Sequence, residues 1–230
     1  MNNYNKTLTE LFNTHNSDKG TIYGPCHDYG EFYETYFNKL KSSNLIHGLE
    51  IGIYHGSSLK VFDEYFENIF MVGLDIDDKS YLQTPNISTG ILDQSNENSL
   101  KLFHDHCVQN NHYFDFILDD GSHHMKDQQI TLGYLFSLLK PGGIYIMEDL
   151  HTSLADDGFI LYGRPLQTKD YKKTTLGYLE DNATYSEYLT KEQNDYIQCH
   201  IKDIIINNQP NPKQEPQYKY KSITAIIIKN

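Results

Sequence analysis

Between residues 45 and 147 the chain alternates short apolar runs with amphipathic ones, and this alternation restricts the fold more than any other feature. Apolar stretches at 45–53, 69–76, 87–92, 114–118 and 143–147 have the length and two-sided hydrophobicity of buried strands. Helical periodicity occupies 57–66, 95–109 and 127–139. Leu59, Phe62 and Phe66 share one face, Leu100, Phe103 and Cys107 share another, and Ser95 is placed to cap the second helix. A break at Lys140-Pro-Gly-Gly143 separates the third helix from the last strand. Strands and helices in this order predict an α/β fold, a mostly parallel sheet covered by helices on both faces. Helices over 6–15, with Leu8, Leu11 and Phe12, and over 29–41 precede it. The expected division is a helical N-terminal extension or lid at 1–44 and one α/β domain at 45–230. Beyond Glu148 the alternation stops. A polar loop is expected over 151–175, a helix or a strand over 190–207 with Thr190 and Gln193 as a capping box, and a strand over 222–229.

Charge and composition narrow the partners. Asp plus Glu number 31 against 19 Lys plus Arg, a formal net charge of −12. That sign argues against nucleic acid and anionic membrane, which call for a positive footprint. No apolar run approaches the roughly 20 residues of a membrane span. The N-terminus lacks the basic start and apolar stretch of a secretory signal, and the 3 cysteines are dispersed and odd in number, so a cytoplasmic setting with reduced thiols is expected. The lone Arg164 reads as codon bias.

In a sheet of this kind ligands bind at the carboxyl ends of the strands. The first strand ends Glu50-Ile-Gly52, with Gly56 where the next helix begins; the glycines permit a tight turn and close approach of a ligand. The second ends in Asp75, placed to accept ribose hydroxyls, and the third in Asp93-Gln94, placed to meet an adenine amino group. Together these favour an adenosyl ligand. No basic residue near the turn argues for a pyrophosphate. The fourth strand runs into Asp119-Asp120-Gly-Ser-His123-His124 and the fifth into Glu148-Asp149. Asp120, Glu148 and Asp149 would then converge, and carboxylates so crowded repel unless a cation neutralises them. An all-oxygen donor set suits Mg²⁺.

Glu50-Ile-Gly with Gly56, Leu74-Asp75, Asp119-Asp120-Gly-Ser-His-His124, Lys140-Pro-Gly-Gly143 and Glu148-Asp149-Leu-His-Thr-Ser153 together resemble the class I S-adenosylmethionine-dependent methyltransferases. Within that Rossmann-like class the chain is similar to the metal-dependent sugar O-methyltransferases of the mycinamicin/tetracenomycin type. Ser17-Asp18-Lys19-Gly20 and the region from His27-Asp28-Tyr29 to Tyr33 share the likeness, which thins after residue 153. The resemblance implies cofactor contacts at Glu50, Gly52, Asp75 and Asp93, with Gly56 in the same turn, and metal ligands at Asp120, Glu148 and Asp149. His123 is implied as the general base. S-adenosylmethionine and Mg²⁺ are the implied cofactors, and a sugar or glycoside hydroxyl the acceptor, either in a natural product or in a capsular or lipopolysaccharide precursor. Tyr54-His55 departs from a more Gly-rich turn.

Plainer readings stand beside these. Asp75 and Asp93 are also good helix caps, the three acids could be exposed loop residues, and His124 rivals His123. The aromatics over 29–37 read as packing, with Lys19 and Tyr29 as the candidates for a lid over cofactor. His151 reads equally as pocket lining or loop surface, and His104 and His106 as surface. A catechol-like acceptor, a non-catalytic binding protein and a homo-oligomer remain open at this point.

Overall fold

Each apolar run forms a strand. In the computed structural model, which describes residues 6–155, 159–166, 170–209 and 222–230, β1 (Ile46–Ile51), β2 (Ile69–Asp75), β3 (Ile87–Ile91), β4 (Phe114–Asp119) and β5 (Leu139–Met147) lie parallel in the order β3-β2-β1-β4-β5. Two antiparallel strands, β8 (Ile201–Gln209) and β9 (Ser222–Lys229), complete a 7-stranded sheet, with β9 inserted between β5 and β8. A short hairpin of β6 (Ile160–Leu161) and β7 (Arg164–Pro165) stands outside it. Strand order reverses between β1 and β4, and a crevice at such a reversal is where sheets of this type bind ligands.

Alternation along the strands divides the core in two. Phe116 and Leu118 of β4 face the layer of α1 (Leu8–Thr14), α2 (Gly30–Phe37) and α3 (Ser57–Tyr65), joining Leu8, Phe12, Tyr33, Phe37 and Phe62. Ile117 faces the opposite layer of α4 (Glu97–Gln109), α5 (Met125–Leu135) and α7 (Lys191–His200), joining Leu100, Leu132 and Ile197. The expected N-terminal helices therefore form part of one covering layer of the sheet.

Three local readings are revised. The cap of α4 is Asn96, whose side chain accepts from the amides of Asn98 and Ser99, because Ser95 is held by Asp93. The glycine-containing 140–143 stretch is not a break: β5 begins at Leu139, and the irregularity is absorbed as a register shift against β4, with Gly142 at φ 76°. The ambiguous 190–207 stretch is both things in turn, α7 with the expected Thr190–Gln193 capping box and then β8. The polar loop at 151–175 includes residues 156–158 and 167–169, which lie outside the described residues; its remainder holds the hairpin and leads to α6 (Thr175–Glu180). No helix among the described residues is long and apolar enough to cross a membrane. All three cysteines are free thiols, Cys199 exposed and the others buried.

Candidate active site

The β1 end is built around close backbone approach. Gly52 has φ +81°, and a Cβ there would stand 2.2 Å from the Asp120 carbonyl oxygen, so β1 and β4 meet only because the side chain is missing. Gly56, at φ +72°, is the left-handed cap of α3. Glu50 is fully buried. One carboxylate oxygen accepts the Ser58 hydroxyl at 2.6 Å, and the other, Oε2, has no hydrogen-bond partner among the described residues. Burial pushes its carboxyl up to about 7. Asp75, at the end of β2, accepts the amides of Ile53 and Tyr54 on Oδ2 and that of Asp77 on Oδ1, so it organises the turn after β1. Asp93 accepts both the amide and the hydroxyl of Ser95. Its neighbour Gln94 is buried and ties β3 to β4: its amide nitrogen donates to Asp119 at 2.6 Å and its oxygen accepts the Ser122 amide at 2.7 Å.

The ends of β4 and β5 bring Asp120, Glu148 and Asp149 into one neighbourhood, with Glu148 N–H donating to the Asp119 carbonyl. They divide, however, between two sets of partners. Glu148 accepts the Tyr33 hydroxyl at 2.6 Å and lies 2.9 Å from the Lys19 ammonium. Lys19 Nζ is also 2.5 Å from Asp120 Oδ2. Asp149, in a left-handed conformation at φ 56°, faces three imidazoles: His123 Nε2 at 3.4 Å, His151 Nδ1 at 3.7 Å and His27 Nε2 at 3.8 Å. Donor atoms of Asp120, His123 and Asp149 lie within 4.8 Å of one another, a spacing that fits one metal ion.

The electrostatics follow from this division. Burial drives the Glu148 carboxyl well above its usual range, with Asp120 adding to the effect and Lys19 opposing it. Burial also raises Asp120, against Lys19 and His123. Burial alone would raise Asp149 as well, but His123, His27 and His151 together hold it below the ordinary carboxylate range. Lys19 remains an ammonium despite complete burial because Asp120 and Glu148 outweigh the desolvation.

The two neighbouring histidines differ in what they touch. His124 hydrogen-bonds the Leu161 carbonyl through Nε2 at 3.0 Å and precedes α5, and burial lowers its pKa. His123 has φ 56°, faces Asp149, and leaves Nδ1 buried without a partner among the described residues. The sequence reading omitted His27 and Tyr33 from this site and gave Lys19 and Tyr29 only as lid candidates. Tyr29 and Tyr33 are core residues that also reach the site, with the Tyr29 hydroxyl 3.5 Å from Asp149. The Ser17-Asp-Lys-Gly20 stretch, which carries Lys19, and the His27 to Tyr33 region, which carries the other three groups, were the available signal.

Strand order and the glycine turn at the reversal point are those of the class I methyltransferase fold. Among solved structures it is similar to the MycE methyltransferase of the mycinamycin biosynthetic pathway in complex with Mg, SAH and mycinamycin VI. That likeness has TM-score 0.72 and 24% identity, and covers 98% of this chain and 55% of that one. An O-methyltransferase from Bacillus cereus in complex with SAH aligns at TM-score 0.54 and 14% identity, over 96% of this chain and 90% of that chain. In sequence the chain is related to the 8-demethyl-8-alpha-L-rhamnosyl tetracenomycin-C 2'-O-methyltransferase of Streptomyces olivaceus, 32% identical over 193 residues, 79% of this chain and 47% of that protein. The mycinamicin VI 2''-O-methyltransferase of Micromonospora griseorubida is 28% identical over 180 residues, 75% of this chain and 42% of that protein. The chain thus spans about half the length of the curated relatives it matches. No family model matches it.

Proposed function

We propose that the chain is an S-adenosylmethionine-dependent, divalent-metal-assisted O-methyltransferase acting on a sugar hydroxyl of a small glycoside or activated sugar. The observation that carries this reading is the convergence of Asp120, His123 and Asp149 beside the Gly52 turn. The residues fit both implied groups. Glu50 Oε2, buried beside the turn and without a partner among the described residues, suits the cationic end of the cofactor, with Gly52 and Gly56 allowing its approach and Asp75 and Asp93 at the adenosyl end. Asp120 and Asp149 offer hard oxygen donors for Mg²⁺, while Glu148 beside them is held by Lys19 and Tyr33.

Methyl transfer from a sulfonium breaks a C–S bond and forms a C–O bond, and the hydroxyl proton must leave. A divalent cation, when bound, would acidify and orient the acceptor hydroxyl. His123 takes the proton at Nδ1, the nitrogen without a partner among the described residues, while Asp149, facing Nε2, stabilises the imidazolium so formed. His124 stays in its bond to Leu161 and supports the hairpin. The sugar acceptor is supported by the likeness to the rhamnosyl tetracenomycin-C 2'-O-methyltransferase of Streptomyces olivaceus. The experiment incubates the chain with S-adenosylmethionine, Mg²⁺ and a panel of glycosides, nucleotide-activated sugars and catechols, and reads a 14 Da mass gain, the replacement of H by CH₃. Methylation of a sugar that stops with EDTA is expected; transfer to catechols alone would overturn the acceptor class. Lack of S-adenosylhomocysteine binding by calorimetry would overturn the enzyme reading.

A further inference from the structure

Lys19 is a buried cation in the position where the strand-end acids called for one. Its side chain is 3% exposed, and Nζ bridges Asp120 Oδ2 and Glu148 Oε2. The bridge is anchored at its base. The Asp18, Lys19 and Gly20 carbonyls accept the amides of His27, Tyr29 and Asp28, at 2.8, 2.9 and 3.1 Å. The same ladder carries His27 and Tyr29 to Asp149, so one loop pair serves both halves of the acid cluster. Glu148 has both oxygens engaged, one by Lys19 and one by Tyr33. Like-charged carboxylates brought together out of water repel strongly, and one buried cation between them removes most of that repulsion.

We propose that Lys19 is a built-in counter-cation that holds Asp120 and Glu148 in position in the metal-free protein and shares the cluster with a divalent ion. It is a positioning residue: it sets the spacing of the acids and limits how tightly a metal binds. Removing its charge makes the fold depend on the ion, and makes the ion bind more tightly because the cluster's net charge becomes more negative. The metal half of this inference rests on the function proposed above, and the charge-balance half does not.

The test uses Lys19→Met, Lys19→Arg and the double variant Lys19→Met/Glu148→Gln, which removes one charge of each sign. Thermal unfolding is followed in EDTA and in Mg²⁺, and Mn²⁺ affinity is read by electron paramagnetic resonance without cofactor or acceptor. Lys19→Met is expected to lose stability in EDTA and regain most of it in Mg²⁺, a larger gain than the parent chain shows. Lys19→Arg retains most of the parent stability. The double variant is expected to be more stable in EDTA than Lys19→Met alone, even if that single variant is recovered only as aggregate. Mn²⁺ should bind Lys19→Met at least about tenfold more tightly than the parent, the direction that removing a nearby positive charge dictates. A double variant no more stable than the single one, or equal Mn²⁺ affinities, would overturn the proposal. If no variant binds Mn²⁺ while the double variant still rescues, the pairing role of Lys19 is supported and the metal assignment of the preceding section is what fails.

Discussion

Asp119 ends β4 with its carboxyl fully buried, receiving Gln94 on one oxygen and the Tyr145 hydroxyl on the other. Burial pushes its pKa from 3.8 up to about 7. Between those values the folded chain holds a proton that the unfolded chain has released, so this group's contribution to stability falls as pH rises through the interval and is constant above it. Asp119→Asn should flatten the melting-temperature profile between pH 5 and 8 and raise it at pH 8. Part of the slope will persist, because Glu50 titrates in the same direction for the same reason. A profile as steep as the parent's in scanning calorimetry would refute the assignment. His123→Ala tests the chemistry: turnover should drop by about 10²–10⁴-fold, the usual worth of a general base, with S-adenosylhomocysteine affinity unchanged in calorimetry. Undiminished turnover would remove His123 from that role. The strand-end acids could be located from sequence because each ends an apolar run, and neighbouring runs place their ends together. Lys19 and Tyr33 could not be paired with them, since their partners lie 101 and 115 residues further along the chain and only the folded loop brings them together.

At the level of elements, the chain's one arginine has a definite task. Arg164 on β7 makes a bidentate contact with Asp127 on α5, at 2.6 and 3.1 Å, and Asp127 also accepts the Ser122 hydroxyl at 2.7 Å. With the His124–Leu161 bond, this pins the hairpin of β6 and β7 to the start of α5, and the hairpin carries Tyr162 to within 6.2 Å of the His123 ring, centroid to centroid. Arg164→Ala should increase protease cleavage within residues 160–165 several-fold. Its stability cost should be only about 1 kcal/mol, because the Arg164 side chain is 40% exposed and solvent screens the pair. Equal cleavage rates in a limited-digestion time course would show that the hairpin is held by other contacts. Composition alone had suggested that this arginine was incidental; a single residue carries no periodicity, and its partner is set by a hairpin that two-residue strands do not announce. Element boundaries failed in the same way. Ser95 and Asn96 are both good caps, and only the prior claim of Asp93 on Ser95 decides between them.

On the scale of the molecule, the five parallel strands followed from alternation, since right-handed crossovers leave few other arrangements. The insertion of β9 between β5 and β8 did not, because antiparallel pairing at a sheet edge is not constrained by that rule. Nor could periodicity alone tell whether the N-terminal helices were a detachable lid or a wall of the core. Their side chains argue for a wall. Leu8, Leu11, Phe12, Tyr33 and Phe37 are 0% exposed, and the Phe37 ring lies 4.8 Å from that of Phe116 and 5.5 Å from that of Phe62. At about 1.5–3 kcal/mol for each large apolar side chain, their burial is comparable with the roughly 5–15 kcal/mol that separates a folded domain from its unfolded state. Loss of the segment also strips Lys19 and Tyr33 from Glu148, leaving the acid cluster without its internal cation. A fragment of residues 45–230 should therefore lack a cooperative thermal transition by circular dichroism and should scatter light as it aggregates. A sharp transition near that of the full chain would instead mean that the β-sheet stands without this layer, and that the first 44 residues are an accessory of the site after all.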